Sequence, residues 1–522
     1  MKYFKNHFFS FFVFIIFGFS VCTASLTFSS CSTISNQTEK NNQSGSSSGS
    51  SSSNSSSESN SSSDNQNTDK NDSSDSSSGS NSSEDYSYKT DNTSNWRSLS
   101  VPALKSLTKD YFDSFGIACE YGNFGDNWGT PVELYYEEVQ KGLAKHAQSI
   151  TMGNELKPQF MLCWWSSGST GNSLKTEKFT ASNGKTIDVP QAIDGLDRLS
   201  KILTICKKYN LKMRGHVLTW HSQTPDDFFA ENYCASYNGN VLSNPVSKEV
   251  MTARHEWYIK TILEYVADWE SKNGYAGSGT GEHIIWAWDV VNEACADDAG
   301  TTYSGTSQNW LRGSTTDTKD KTPEKGGSRW YQIYGDDEFI VNAFRFANAY
   351  APADVPLCYN DYNEYMDFSG SHGSWKTSAI LHLLDNVKNG EAKIINGVSV
   401  KPRIDVMGMQ SHLGIEWPGI NGYEAALKRY LNAGYDVHVT ELDFPAKTET
   451  EAKTAYSDFF TMIKNYGKKS SLSNKVTNVT IWGINNENSW IYKNDVKYPL
   501  LFTKENNEYL ITPSFTAVEE AL

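Results

Sequence analysis

The chain has 522 residues and a formal net charge of −15, with 61 acidic against 46 basic side chains and 13% aromatic residues. The negative charge is spread along the chain without a Lys/Arg cluster, so nucleic acid is a poor partner and a neutral or weakly charged substrate fits better. The length exceeds a minimal domain by enough to carry a leader, a tether and one large catalytic fold.

Lys2, Lys5 and His7 precede an apolar, Phe-rich stretch from Phe8 to about Leu26, which is the charge-then-hydrophobic order of a secretory signal. The chain is therefore expected to be exported, at the cell surface or secreted. Phe28-Ser29-Ser30-Cys31 resembles a bacterial lipoprotein processing site, with Cys31 as the acylated residue and the lipid as the only membrane contact. Phe28 replaces the usual aliphatic residue, which keeps simple secretion or an uncleaved anchor as alternatives; Cys22 fits less well because bulky Val21 precedes it. From about 32 to 95 the sequence is Ser, Asn, Asp, Gly and Lys with almost nothing apolar, a composition that cannot offset its chain entropy. As a flexible coil of about 60 residues it would reach on the order of 45 Å.

Residues 96–522 read as one domain. Strand candidates are Phe115 to Cys119, Ser149 to Met152, Lys212 to Leu218, Ile284 to Val291, Pro356 to Asn360, Ile404 to Met409, Val437 to Glu441 and Val479 to Trp482. Helical periodicity lies between them at Val132 to Ala147, Ala192 to Tyr209, Lys248 to Trp269, Asp337 to Ala349, Tyr423 to Ala433 and Glu451 to Tyr466. Such alternation predicts an α/β fold, a (β/α)8 TIM barrel with loop insertions. Cys119, Cys163, Cys206, Cys234, Cys295 and Cys358 lack metal-ligand spacing, so no metal site and no cofactor are expected; Cys119 and Cys358 sit in strand-like runs and read as buried thiols.

Two of the strands end in glutamate, at Asn292-Glu293 and at Thr440-Glu441. A single such residue is as well explained by capping the next helix. Two, far apart in sequence, converge only where a fold gathers strand ends, as a parallel barrel does at its carboxyl face. A carboxylate pair can divide into a protonated acid and an ionised nucleophile, the equipment for cleaving a glycosidic bond. Asn154, Lys157, His216, Trp220, Gln223, Gln410, His412, Asp443, Trp482 and Trp490 fall at or near other strand ends. Amides and Lys suit sugar hydroxyls, and indoles suit sugar faces.

Four ordered blocks, Arg214 to Gln223, Trp288 to Ala294, Gln410-Ser411-His412 and Thr440 to Asp443, resemble the signature blocks of glycoside hydrolase family 10, the endo-β-1,4-xylanases. Asn154 to Lys157, Tyr359 to Asn363 and Trp482-Gly483 extend the match. The resemblance implies a retaining mechanism on xylan, with Glu293 as acid/base and Glu441 as nucleophile about 5–5.5 Å away. It further implies that His412 bonds Glu441 and is oriented by Asp443, and that Asn292 holds the sugar 2-hydroxyl. Lys157, Asn154, His216, Trp220, Gln410 and Gln223 would line the substrate site, with Trp482 and Trp490 closing over the reacting sugar. Two positions depart from the pattern: Gly153 stands where an acid is usual, and Ile491 where a basic residue follows Trp490. The stretches from Cys295 to Ser328 and from about Ser166 to Ile187 read as insertions that reshape the leaving-group and glycone sides. The expected form is a monomer acting on xylan; the alternatives are the same chemistry on another β-1,4-glycan such as glucan, or a catalytically weak surface glycan-binding lipoprotein.

Overall fold

Buried runs rich in Val, Ile and aromatic residues make strands that need cover on both faces, which favours parallel pairing. In the computed structural model, which describes residues 92–123, 130–164, 168, 170–297, 308–315, 319–367 and 375–522, they close into one barrel. The signal segment, Cys31 and the tether up to residue 91 lie outside the described residues. The strands are β1 (Ser114–Cys119), β2 (Ser149–Met152), β3 (Lys212–Trp220), β4 (Ile285–Asn292), β5 (Leu357–Asp361), β6 (Val406–Met409), β7 (Asp436–Leu442) and β8 (Val476–Ile481). Each pairs in parallel with its sequence neighbours, and β8 closes onto β1 with Ser114 opposite Asn478.

The outer ring consists of α1 (Glu137–His146), α2 (Gly195–Lys208), α3 (Lys248–Lys272), α4 (Glu338–Tyr350), α5 (Lys376–Lys388), α6 (Gly419–Asn432), α7 (Glu449–Ile463) and α8 (Pro513–Ala521). All eight expected strands form. The helix expected from Val132 instead opens as a short 3-10 turn at Glu133–Tyr135 and becomes α-helical only from Glu137. The linker boundary also moves. Asn95, placed by composition in the tether, is buried, bridges to Leu510, and is followed by Trp96, whose N–H donates to Tyr509 at 2.9 Å. Main-chain pairing to a hairpin at the far end of the chain fixes these polar residues, and local composition carries no trace of it.

The insertion near 166–187 contains an antiparallel hairpin, Thr176–Thr180 with Thr186–Pro190. It docks on α3: the Ser182 N–H donates to Glu256 at 2.9 Å and the Asn183 amide donates to the Glu249 carbonyl at 3.0 Å. The hairpin thus packs on the helical ring, where the sequence suggested the glycone side of the cleft. The six cysteines are free thiols, and Cys119 and Cys358 are buried as expected.

Inside the barrel Arg214 forms a fully buried ion pair with Asp289, which also accepts from His216 Nδ1 at 2.9 Å. Burial alone would raise the Asp289 carboxyl, but Arg214 and His216 outweigh it and hold the group below its usual range. Glycine matters at one place in this wall. A Cβ on Gly408 of β6 would lie 2.5 Å from Asn360 Oδ1, so its absence makes room for the Asn360 side chain from β5.

Candidate active site

The barrel ladder itself delivers the two glutamates to the carboxyl face. The Glu293 N–H donates to the Asn360 carbonyl at 2.8 Å, and the Glu441 N–H donates to the Gln410 carbonyl at 2.9 Å. Glu293 follows the last residue of β4 with a left-handed φ of 55°, an uncommon conformation for a side chain this large. Such geometry persists only when its surroundings enforce it. They do so through Arg312, a buried residue of the loop after β4. Its Nε donates to the Glu293 carbonyl at 2.7 Å and its Nη2 donates to the Cys295 carbonyl at 3.0 Å. The same loop returns through Ala296 and Trp310, whose N–H and carbonyl pair at 2.8 Å.

A chain of amides joins the carboxylates. Asn292 Nδ2 and Gln410 Nε2 donate to Glu293 Oε1 at 3.0 and 2.9 Å, while Trp220 Nε1 donates to Oε2 at 3.0 Å. Asn360 Nδ2 is shared between Asn292 Oδ1 at 3.0 Å and Glu441 Oε1 at 2.8 Å. On the other Glu441 oxygen sits His412 Nε2 at 3.2 Å, and His412 Nδ1 meets Asp443 Oδ1 at 2.9 Å. Trp490 then donates from Nε1 to Asp443 Oδ2 at 2.7 Å, with its ring edge-on to His412. Trp482 stands edge-on to both His216 and His412.

The environments push the two carboxyls apart. Burial raises Glu293; Arg312 and the Gln410 amide oppose it, Asp361 and Glu441 add to it, and the net direction is upward. Burial acts on Glu441 as well, but the His412 hydrogen bond, the charges of His216 and His412 and the Asn360 amide prevail and bring it below its ordinary value. Burial disfavours a charged His412, yet Asp443 first and Glu441 next overcome that and lift it to about 10. Of the two carboxyls Glu293 therefore holds its proton the more tightly, while Glu441 loses its own readily beside an imidazolium.

Apart from His216, which bonds Asp289, and Trp482, edge-on to His216 and His412, the expected residues fall into three groups. Glu293, Glu441, Asn292, His412, Asp443, Gln410, Trp220 and Trp490 are joined in one hydrogen-bonded assembly, in which Trp220 and Gln410 hold the Glu293 carboxyl itself. Lys157 and Asn154 form a neighbouring pair, with Lys157 Nζ 3.2 Å from Asn154 Oδ1 and 5.1 Å from the Trp220 ring centre. Gln223 stands apart: φ is 44°, its carbonyl accepts from the Gln159 N–H at 2.7 Å, and no side-chain hydrogen bond ties it to the carboxylates among the described residues. Missed in the sequence were Arg312, the amide role of Asn360, and a buried lattice in which Lys376 Nζ bonds Asp361 at 2.9 Å and Asp297 at 2.7 Å. A signal existed only for Asn360 and Asp361, which end a strand.

The model of glycosyl hydrolase family 10 matches residues 103–521. The chain belongs to glycosyl hydrolase family 10. It is 34% identical over 385 residues to endo-1,4-beta-xylanase Y of Acetivibrio thermocellus, covering 72% of this chain and 29% of that protein. To endo-1,4-beta-xylanase B of Butyrivibrio fibrisolvens it is 33% identical over 369 residues, 69% of this chain and 46% of the relative. The chain thus spans less than half the length of these curated relatives. Among solved structures, the CBM22-1 and GH10 modules of the Clostridium thermocellum xylanase 10B, complexed with xylohexaose, superpose with a TM-score of 0.56 at 31% identity, covering 83% of this chain and 69% of that one. The intracellular xylanase of Thermoanaerobacterium saccharolyticum gives 0.54 at 26% identity, with 80% of this chain and 99% of that one covered. This family 10 chain therefore shares the (β/α)8 barrel of xylanases that differ from it at most positions.

Proposed function

We propose that the chain is an endo-β-1,4-xylanase that works by retaining double displacement. The observation that carries this is the opposite displacement of two carboxyls linked through Asn292, Gln410 and Asn360 at one barrel face. In the first step a Glu441 oxygen attacks the anomeric carbon while the Glu293 proton passes to the departing glycosidic oxygen, leaving a glycosyl ester on Glu441. In the second, ionised Glu293 takes a proton from water, the water oxygen attacks the same carbon, and Glu441 leaves as carboxylate. His412 keeps Glu441 ionised and aimed, and Arg312 keeps Glu293 in its left-handed backbone position. Asn292 donates to Glu293 and accepts from Asn360, which also bonds Glu441, and the sugar 2-hydroxyl is its expected partner, in a contact that strengthens toward the transition state.

The xylan substrate is supported by family membership and by relatives named as endo-1,4-beta-xylanases. Export, acylation at Cys31 and a monomeric state are part of the same proposal and rest on the leader-like sequence and the tether composition. The test is hydrolysis of soluble xylan, carboxymethyl cellulose and glucomannan by residues 92–522, with reducing ends counted and product configuration read by NMR. β-Configured xylo-oligosaccharides from xylan alone are expected. Cleavage of the glucan instead would reassign the substrate, and an inverted first product would overturn the mechanism.

A further inference from the structure

Strands β1 and β2 run in register with Cys119 opposite Met152, so the residues that follow them, Glu120 and Gly153, lie side by side at the active face. The Gly153 N–H donates to the Cys119 carbonyl at 2.9 Å, which carries the pairing to this last rung. A Cβ built on Gly153 would sit 3.3 Å from both Cγ and Oε1 of Glu120. A side chain at position 153 would press on Glu120, and at this rung β1 supplies the acid. The acid that the family pattern places on β2 has an equivalent displaced sideways by one strand, roughly 4.8 Å.

Three features make this carboxylate a built contact. The turn that carries it is pinned: the Glu120 N–H donates to Glu133 Oε2 at 2.8 Å, and the N–H groups of Tyr121 and Gly122 donate to buried Glu155. Its Oε1 accepts from Asn154 Nδ2, while Oε2 takes no hydrogen bond among the described residues. The Lys157 ammonium lies 3.2 Å from Asn154 Oδ1 and 5.1 Å from the centre of the Trp220 ring, whose Nε1 donates to Glu293, so Asn154 and Lys157 connect Glu120 to the acid after β4. Glu120, Asn154 and Lys157 thus extend the polar lining one step beyond the reacting sugar. A carboxyl group with an open oxygen accepts from sugar hydroxyls in either protonation state, and Lys157 beside it donates to them.

Resting on the xylanase reading, we propose that Glu120 binds the hydroxyls of the xylose unit next to the reacting one on its non-reducing side, in place of an acid at position 153. The contact is specific to substrates long enough to reach it.

The test compares an aryl β-xylobioside with the matching aryl β-xyloside in wild type, Glu120→Gln, Glu120→Ala and the double variant Glu120→Ala/Gly153→Glu. Loss of the carboxyl acceptor should lower kcat/KM on the xylobioside roughly 10- to 100-fold more than on the xyloside. The double variant should recover at least about a tenth of the wild-type preference, since the alanine vacates the space that a carboxylate side chain at position 153 needs. Recovery is the readout that a merely structural role would not give. Equal losses on both substrates, or no loss, would overturn the assignment. A wild-type enzyme inactive on both would instead overturn the xylanase reading and take the assignment with it.

Discussion

Glu293 and Glu441 are the same residue type at the ends of two strands of one barrel, yet their surroundings are assembled from different kinds of structure. Glu441 is held by strand-borne groups: Asn360 from the end of β5, and His412 and Asp443 just beyond β6 and β7. The Glu293 carboxyl also meets strand-end groups, Asn292, Gln410 and Trp220, but its backbone position depends on the loop after β4, from which Arg312 reaches its carbonyl. The strand-built half lowers a proton affinity with hydrogen bonds and positive charge, whereas the loop-built half leaves burial dominant and lets the affinity rise. Division of labour between identical side chains is thus written in what surrounds them.

The largest effect expected is at the strand-built half. Glu441→Ala should cut turnover of both xylan and aryl xylobioside by at least about 10⁴-fold, because no other group forms the ester. Added azide should then give no product of retained configuration, and a retained product would place the nucleophile elsewhere. Next comes Glu293→Ala, expected to slow xylan cleavage about 10²- to 10⁴-fold while largely sparing ester formation from an activated aryl glycoside, whose leaving group needs little protonation. Pre-steady-state bursts distinguish the two steps, and equal loss on both substrates would remove Glu293 from the acid role.

His412→Gln should cost roughly 10- to 100-fold by removing a charged donor from Glu441. Glu441 would then bind its proton more tightly, so the acid limb of kcat/KM should move to higher pH. This variant also has a stability signature. The folded-state affinity of His412 is raised to about 10 from an ordinary 6.5, so its contribution is full below 6.5 and is lost as pH rises through about 10. The difference in denaturant midpoint between wild type and variant should shrink across that window. The smallest effect is Arg312→Met, expected to reduce kcat on xylan roughly 10-fold through a misplaced acid. Loss of the cation should raise the Glu293 proton affinity further, moving the alkaline limb upward. A limb that moves down would assign Arg312 another role.

The strand-built half was legible from sequence because each of its members ends or closely follows a strand, and period-two burial with an abrupt polar stop is a local signal. Arg312 was not, since nothing within several residues of it shows periodicity and its partner lies 19 positions away. Helix α5 was missed for a related reason: Lys376 opens it without a side-chain cap and is spent on the buried Asp361 carboxylate and on Asp297. Gly153 was legible only as a departure from the pattern, because its closeness to Glu120 exists only across a pair of neighbouring strands.

Gly408 touches no substrate and titrates no proton, yet the nucleophile is supported through the space it leaves. Any larger residue there evicts the Asn360 amide, which spans Asn292 and Glu441. For anyone reshaping this cleft by random mutagenesis, position 408 is a hidden constraint: libraries that spare only the visible lining will accumulate inactive clones from a barrel-wall site that looks neutral.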